Sequence, residues 1–265
     1  MIEKYLNNRL LTLYLIPFSL GSLTVLSYQP FNFSLINFFV LPVFFYLIIY
    51  IKKKSKSVYR KKPFKKNLFI FGTSFGFGYY LSGIHWITNS LTFDETFLIL
   101  IPFGLIIIPL FLSIFFSFIT LFIGPLINLN LSSIFLLSGG LALSDYLRAK
   151  ILTGFPWNLW AYSLSWSQES LQILNLIGFF SFNLILITIL FLPVTFFLKD
   201  KLKYIFISFF VILLFSNYFF GSYKINSEID DIKSKVNFKI ASSGLELSEF
   251  KNQILVLNNL IKISE

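Results

Sequence analysis

The chain has 265 residues, of which 56% are hydrophobic and only 13% are charged, and its mean hydropathy is +0.77. This composition excludes an ordinary soluble globular protein. It also argues against a transmembrane β-barrel, because barrel strands alternate apolar and polar residues, whereas residues 97–123 and 171–198 are apolar on all sides. We therefore predict an all-α polytopic membrane helix bundle.

Seven apolar runs are long enough to cross a bilayer as helices, which takes roughly 20 residues each. Lys4 and Arg9 precede the first run, as in a signal peptide, but no small-x-small cleavage site follows, so we expect a retained span. The predicted spans lie at about residues 10–26, 33–51, 67–84, 97–123, 131–147, 171–198 and 204–220.

The formal charge of +10 is unevenly distributed along the chain. Residues 1–221 contain 16 Lys and Arg against 6 Asp and Glu, whereas residues 222–265 contain 6 of each. The basic excess thus belongs to the membrane part, where it reports orientation, and we predict no nucleic-acid partner.

The basic residues predict which side of the membrane each loop occupies. Residues 52–66 carry nine Lys and Arg and no acidic residue, so the positive-inside rule places this loop in the cytoplasm. The loop with Lys199, Lys201 and Lys203 falls on the same side by parity. We therefore expect a cytoplasmic amino terminus and a tail on the outer, periplasmic side.

After Gly221 the sequence pattern changes. Residues 236–241 alternate apolar and polar side chains as in a strand, and residues 247–263 have helical spacing. One strand and one helix do not make a core, so we predict the start of a larger α/β domain. The predicted division is a seven-span domain at 1–221 and an incomplete α/β start at 222–265.

Two residue types limit the chemistry. The chain has no cysteine and one histidine, which excludes a thiol nucleophile, a disulfide and a thiolate or histidine-cluster metal site within it. We predict no metal and no cofactor. A transporter is the least favoured class, because no ionisable residue lies near the middle of a predicted span.

Polar and aromatic residues gather at the outer ends of the predicted spans. His85 and Trp86 follow the third span, and both suit a membrane interface. Asp145 and Arg148 are three residues apart and can pair across one helical turn as a structural clasp.

The segment from Thr153 to Asn158 combines turn residues with large aromatic rings. Gly154 and Pro156 favour a defined turn, and Phe155 and Trp157 place aromatic faces at headgroup depth. These rings could line an entrance for acyl chains; composition alone would make them an aromatic belt.

Several short segments occur in an order shared with one known family. They are Tyr28-Gln-Pro-Phe31, Gly76-Phe-Gly78 with Gly83, Trp86 and Ile87, Asp145-Tyr-Leu-Arg148, Leu152-Thr-Gly-Phe-Pro-Trp-Asn158, Tyr162-Ser163, and Gln172 with Gly178. Together they resemble the membrane region of apolipoprotein N-acyltransferases over nearly the whole chain. Asp145 departs mildly from the glutamate usual at its position.

The resemblance implies a function in bacterial lipoprotein maturation. The family transfers a fatty acyl chain from a phospholipid to the α-amino group of a diacylglyceryl-cysteine at a lipoprotein's amino terminus. It implies a multi-pass protein of the bacterial inner membrane, with a phospholipid donor, a diacylglyceryl-lipoprotein acceptor and the bilayer as partners.

The family's catalytic part is a nitrilase-like α/β domain outside the membrane, inserted after the seventh span and followed by an eighth. It uses a Glu–Lys–Cys triad, in which a thiolate forms a thioester with the acyl group. By resemblance, residues 222–265 would be the first strand and helix of that domain. We therefore expect no catalytic residue in this chain, and whether it acts as an enzyme stays open.

The same resemblance suggests roles for the residues at the outer ends. The candidates for a lipid portal are Trp86, Arg148, Phe155, Pro156 and Trp157. The candidates for structural roles are His85, Asp145, Gly154 and Asn158. The alternative is a non-catalytic polytopic membrane protein that binds lipid or scaffolds a partner, and a split enzyme whose second chain supplies the hydrolase domain lies between the two.

Overall fold

The computed structural model describes residues 6–57, 64–151, 154–228 and 253–264, and within these ranges the chain is helical and contains no strand. The main helices are α1 (Leu11–Ser27), α2 (Asn37–Ser57), α3 (Phe64–Ile84), α4 (Ile101–Phe122), α5 (Leu131–Lys150), α6 (Phe179–Leu190), α7 (Lys203–Glu228) and α8 (Gln253–Ser264). Short 3₁₀ helices connect them at Ser34–Ile36, His85–Phe93, Glu95–Leu100, Gly124–Leu126, Trp160–Leu164 and Leu192–Phe197, together with single α-turns at Gln168–Leu171 and Leu174–Ile177.

Among the residues that the structure describes, four helical segments are long and apolar enough to cross a membrane. They are Ser34–Lys54, Glu95–Leu126, Phe179–Phe197 and Lys203–Ser227. The prediction of a helical membrane protein is thus confirmed for the described part of the chain. The remaining predicted spans coincide with α1, α3 and α5, so the total of seven spans stays a prediction.

Helix α3 lies at the centre of the bundle, between α1 and α4. Its glycines allow backbones to approach closely: a Cβ atom at Gly72 would lie 2.1 Å from Thr120 Oγ1 of α4, and one at Gly78 would lie 2.1 Å from the Phe18 carbonyl oxygen of α1. Phe75 fills the interior, with its ring centroid 4.4 Å from that of Phe44. Small residues and rings therefore interlock in the core.

The helices alternate in direction, which gives the bundle two distinct ends. At one end Lys52 of α2 donates from Nζ to the Ile127 carbonyl oxygen and to Asn128 Oδ1, at 2.8 Å each. The other end holds the carboxyl ends of α1, α3 and α5 and the loops that follow them. These loops form the candidate site.

The sixth predicted span begins later than the sequence suggested. Gly178 has φ +76° and ψ 165°, a conformation that essentially only glycine adopts, and it separates the α-turn Leu174–Ile177 from α6. The predicted span at 171–198 is present from Phe179 to Phe197, and its start was placed too early because apolar composition does not reveal a break at a single glycine.

The carboxyl-terminal part is only partly described. The strand predicted at residues 236–241 lies outside the described residues, and the helix predicted at 247–263 is present as α8 where the structure describes it. Helix α7 continues to Glu228, so the predicted domain boundary after Gly221 falls inside a helix. The division at 221 and the nitrilase-like character of the tail stay predictions.

Candidate functional site

The loop that follows α5 is shaped by two residues with positive φ. Gly154 has φ +87° and Asn158 has φ +54°, and the amide of Phe155 turns back to donate to the Arg148 carbonyl oxygen at 3.1 Å. Asparagine and glycine tolerate this left-handed region better than other residues. Gly154 therefore sets the turn, as expected, and Asn158 sets a second one. We call residues 154–158 the aromatic loop.

A buried ion pair holds the aromatic loop against α5. Arg148, whose side chain is 1% exposed, donates from Nη2 to Asp145 Oδ1 at 3.0 Å, so the pairing expected from their spacing is present. Its Nη1 donates to the carbonyl oxygens of Phe155 and Trp157 at 2.6 and 2.7 Å. Charge-assisted bonds to carbonyls are among the stronger protein hydrogen bonds. The guanidinium thus contacts Asp145 and the loop carbonyls, and the portal role of Arg148 stays a prediction.

The ion pair extends into a network that the sequence did not reveal. Asn183 of α6 donates from Nδ2 to Asp145 Oδ2 at 2.9 Å, and its Oδ1 accepts from the Ala161 amide at 2.9 Å. The Arg148 guanidinium also lies over the Tyr80 ring, 5.3 Å from its centroid. The sequence offered one indication that Asn183 has a special role, namely that it is a polar residue within an apolar span. The network joins α3, α5, α6 and the aromatic loop.

Two tyrosines connect the aromatic loop to the turn between α1 and α2. The Tyr79 hydroxyl of α3 donates to the Asn158 carbonyl oxygen, so the Tyr28 hydroxyl, 2.7 Å away, donates to Tyr79. The Tyr28 ring is almost fully buried, and burial raises the pKa of its phenol well above its ordinary value. The hydroxyl stays neutral and serves as a fixed hydrogen-bond donor.

These segments enclose an open cleft of about 500 Å³ at the end of the bundle. Trp86 and Trp157 both line it and contact each other edge to face, with ring centroids 5.3 Å apart and an interplanar angle of 79°. Their side chains are 43% and 49% exposed. The Trp86 indole donates to the Gly83 carbonyl oxygen at 3.2 Å, which fixes the ring. The cleft is lined by Val25, Tyr28, Gln29, Pro30, Phe31, Ser82, Gly83, His85, Trp86, Trp157, Asn158, Tyr162 and Ser165.

The cleft gathers only some of the residues singled out in the sequence. His85 lies exposed in the cleft wall with Nδ1 2.9 Å from the Ser82 carbonyl oxygen, and Asn158 lines the interior. Pro156 is exposed on the aromatic loop. Phe155 instead lines a separate apolar groove of about 300 Å³ beside α4, together with Arg148. The predicted portal residues therefore divide between two surfaces.

The cleft lining is mostly aromatic and apolar, with uncharged polar groups between the rings. None of the described residues that line it is Lys, Arg, Asp or Glu. Within the described part of the chain, no group of three or more His, Asp or Glu side chains is placed to hold a metal ion. The arrangement suits binding of an amphipathic molecule at a membrane surface.

Comparison with known proteins identifies the family. Residues 20–192, more than half of the chain, match the model of the apolipoprotein N-acyltransferase N-terminal domain. The chain belongs to the apolipoprotein N-acyltransferase family. The three segments that line the cleft all lie inside the matched range.

Curated apolipoprotein N-acyltransferases of several bacteria are similar to this family member. The protein of Brucella suis biovar 1 (strain 1330) is 32% identical over 164 residues, covering 60% of this chain and 30% of the relative. That of Rickettsia typhi (strain ATCC VR-144 / Wilmington) is 33% identical over 178 residues, covering 66% and 33%. That of Rickettsia bellii (strain RML369-C) is 38% identical over 137 residues, covering 50% and 27%. The chain thus matches about a third of each relative's length or less. The family match and the apolar helices together identify a bacterial membrane protein.

Proposed function

We propose that this chain is the membrane module of an apolipoprotein N-acyltransferase, taking part in the transfer of an acyl chain from a phospholipid to the amino group of a diacylglyceryl-lipoprotein. The observation that supports this proposal most directly is the cleft. Three segments that are distant in sequence meet there, and all three lie within the family match. We propose that lipid substrates enter the protein at this point.

The position and lining of the cleft support lipid entry. It lies at the end of an apolar bundle, where tryptophan is favoured because the indole has an apolar body and a polar N–H. Its volume of about 500 Å³ is that of a ligand site. Trp86 and Trp157 offer exposed aromatic faces to an acyl chain, which makes them the proposed portal pair.

The other predicted site residues receive supporting roles in this proposal. Arg148 and Asp145 hold the aromatic loop in place, because the guanidinium donates to the loop carbonyls and to the carboxylate. Pro156 and Gly154 shape the loop, and Phe155 faces the groove beside α4. We assign these residues to positioning the portal pair.

We propose that the end of the bundle with the cleft lies on the periplasmic side of the inner membrane. The 265 residues contain no cysteine, so a thioester route needs a thiol that this sequence does not supply. We propose that the acyl transfer itself belongs to a nitrilase-like domain corresponding to the further length of the curated relatives.

Photo-crosslinking in vesicles tests the lipid portal. The purified chain is reconstituted with a phospholipid carrying a photoactivatable acyl chain, and the adducts are mapped by mass spectrometry. We expect adducts concentrated at Trp86 and Trp157, and competition by a diacylglyceryl-cysteine peptide. Trp157→Ala should lower labelling at Trp86 several-fold, whereas Trp166→Ala, an exposed tryptophan outside the cleft lining, should leave it unchanged. Adducts spread evenly over the exposed face of α7, without enrichment in the cleft, would contradict the proposal.

A further inference from the structure

We infer that the end of the bundle opposite the cleft binds anionic phospholipid, and that the turn at residues 198–202 is the main contact with the lipid headgroup. The ligand is a phospholipid of net negative charge in the leaflet that borders this end. The inference goes beyond the proposed function, because it concerns a different surface and a lipid that is bound without being a substrate.

The turn at residues 198–202 is confined to the membrane surface. It joins Phe179–Phe197 to Lys203–Ser227, and each of these segments is long and apolar enough to cross a membrane. Because both segments reach the surface at this turn, Lys199 and Lys201 are held at the depth of the lipid headgroups.

The side chains at this turn suit both parts of a phospholipid. Lys199 and Lys201 are exposed cations, and Phe196 and Phe197, which precede the turn, are 73% and 66% exposed. The ammonium groups can attract a phosphate, while the rings offer apolar surface to the acyl chains attached to it. Basic and apolar groups therefore lie side by side where a lipid presents the matching pair.

Local hydrogen bonds hold the turn in a defined shape. Lys203 donates from Nζ to the Leu198 carbonyl oxygen at 2.7 Å, and the Leu202 amide donates to Asp200 Oδ1 at 2.9 Å. With three lysines against one aspartate, residues 198–203 carry a formal charge of +2. Among the described residues, neither Lys199 nor Lys201 forms an ion pair, so their charge is available to a ligand.

Helix α2 brings further positive charge to the same end. The Tyr46 hydroxyl donates to the Val194 carbonyl oxygen at 3.3 Å, and the Tyr46 ring lies 5.3 Å from that of Phe197. From this contact α2 continues towards the basic end, where Lys53 is exposed. The other exposed cations that the structure describes at this end are Arg9, Lys65 and Lys66. Asp200 is the one acidic residue described there.

This charge favours anionic over zwitterionic lipid. Each basic side chain near an anionic lipid surface strengthens binding by about fivefold. A zwitterionic headgroup also has a phosphate, but the lysines repel its ammonium group, so the net attraction is small. The positive-inside rule accounts for the side of the membrane on which the lysines lie, and it does not account for exposed rings beside them in a fixed turn.

Native mass spectrometry tests the preference for anionic lipid. The purified chain in an uncharged detergent is titrated with dioleoyl phosphatidylglycerol or dioleoyl phosphatidylcholine, which share their acyl chains and differ in headgroup charge. We expect the anionic lipid to bind about tenfold more tightly. A roughly tenfold increase in ammonium acetate should remove most of this advantage, because salt screens exposed charges. Soluble glycerol phosphate at an equal concentration should not compete, since it lacks acyl chains.

A double substitution tests the assigned turn. Lys199→Gln with Lys201→Gln removes two charges and keeps long polar side chains, so the Kd for phosphatidylglycerol should rise about tenfold while that for phosphatidylcholine changes little. Lys150→Gln with Lys224→Gln is the matched control, because it removes the same charge near the ends of α5 and α7 that lie at the cleft end. It should leave both Kd values unchanged.

Several results would overturn the inference. They are equal affinity of the unsubstituted chain for the two lipids, a preference that does not respond to salt, and equal weakening by the two double substitutions, which would assign the effect to net charge. Competition by glycerol phosphate would indicate a site for free phosphate instead of a lipid. None of these results changes the expected photo-labelling of Trp86 and Trp157, so the proposed lipid entry at the cleft is tested separately.

Discussion

Asp145 and Arg148 form a charge pair that is withdrawn from water near the end of an apolar helix. Removing both charges from water is costly, and the pair persists because each charged group has further partners. Asn183 donates to the carboxylate, and two loop carbonyls accept from the guanidinium. The pair therefore holds the aromatic loop in a fixed position. It contributes more to the geometry of the loop than to the net free energy of unfolding.

Removing one partner of this pair should be strongly destabilising. Arg148→Met leaves Asp145 as a buried, unpaired carboxylate and frees the loop carbonyls of Phe155 and Trp157. We expect the free energy of unfolding to fall by about 3–5 kcal/mol. Denaturant unfolding in detergent, followed by circular dichroism, measures the change.

Lys150→Met is the matched control for this substitution. Lys150 is a basic residue of the same helix two positions away, and its side chain is exposed over the Tyr146 ring. Its loss should change the free energy of unfolding by less than about 0.5 kcal/mol. Equal effects of the two substitutions would show that the ion pair does not hold the aromatic loop in place.

At the scale of elements, the end of α3 and the aromatic loop meet at a contact that has no room for an added side-chain atom. Gly83 of α3 faces the Asn158 amide, and the Trp86 indole caps the Gly83 carbonyl oxygen. Helix α3 thus supplies both a flat surface for Asn158 and an anchor for the portal tryptophan.

Gly83→Ala should displace the Asn158 side chain. The new methyl group would overlap Nδ2, so we expect a loss of about 1–3 kcal/mol in the free energy of unfolding and reduced photo-labelling at Trp86. Gly139→Ala in α5 is the matched control, because nothing lies within 4 Å of the added Cβ and alanine favours the helix. It should be neutral or stabilise by up to about 1 kcal/mol. Losses of the same size at both positions would contradict the close contact at Gly83.

The sequence predicted the helical elements far better than the contacts between them. Long apolar runs define α4 and α7 because the period and length of such runs are local properties. Trp86 and Trp157 were identifiable as interfacial residues, yet nothing local showed that they face one another. Asn183 lies 38 residues from its partner Asp145, and pairing at that distance is set by tertiary structure.

At the scale of the whole molecule, the two ends of the bundle differ in chemistry. The end with the cleft is aromatic and its described lining is free of lysine and arginine. The opposite end includes Lys52, which is hydrogen-bonded to the loop before α5, and the start of α7, where Lys201 precedes the helix and Lys203 is its first residue. Because cytoplasmic loops are enriched in basic residues, this asymmetry predicts the orientation of the bundle.

Single cysteines test this orientation directly, since the chain has none of its own. Ser90→Cys places an exposed thiol beyond α3 at the cleft end, and Leu129→Cys places one between α4 and α5 at the basic end. In spheroplasts a membrane-impermeant maleimide should label Ser90→Cys at once and Leu129→Cys only after permeabilisation, because the positive-inside rule keeps the basic end in the cytoplasm. The unsubstituted chain should remain unlabelled throughout. The reverse pattern would turn the cleft towards the cytoplasm and remove it from any periplasmic lipoprotein, whereas labelling of both positions in intact spheroplasts would mean that the membrane does not separate the two ends.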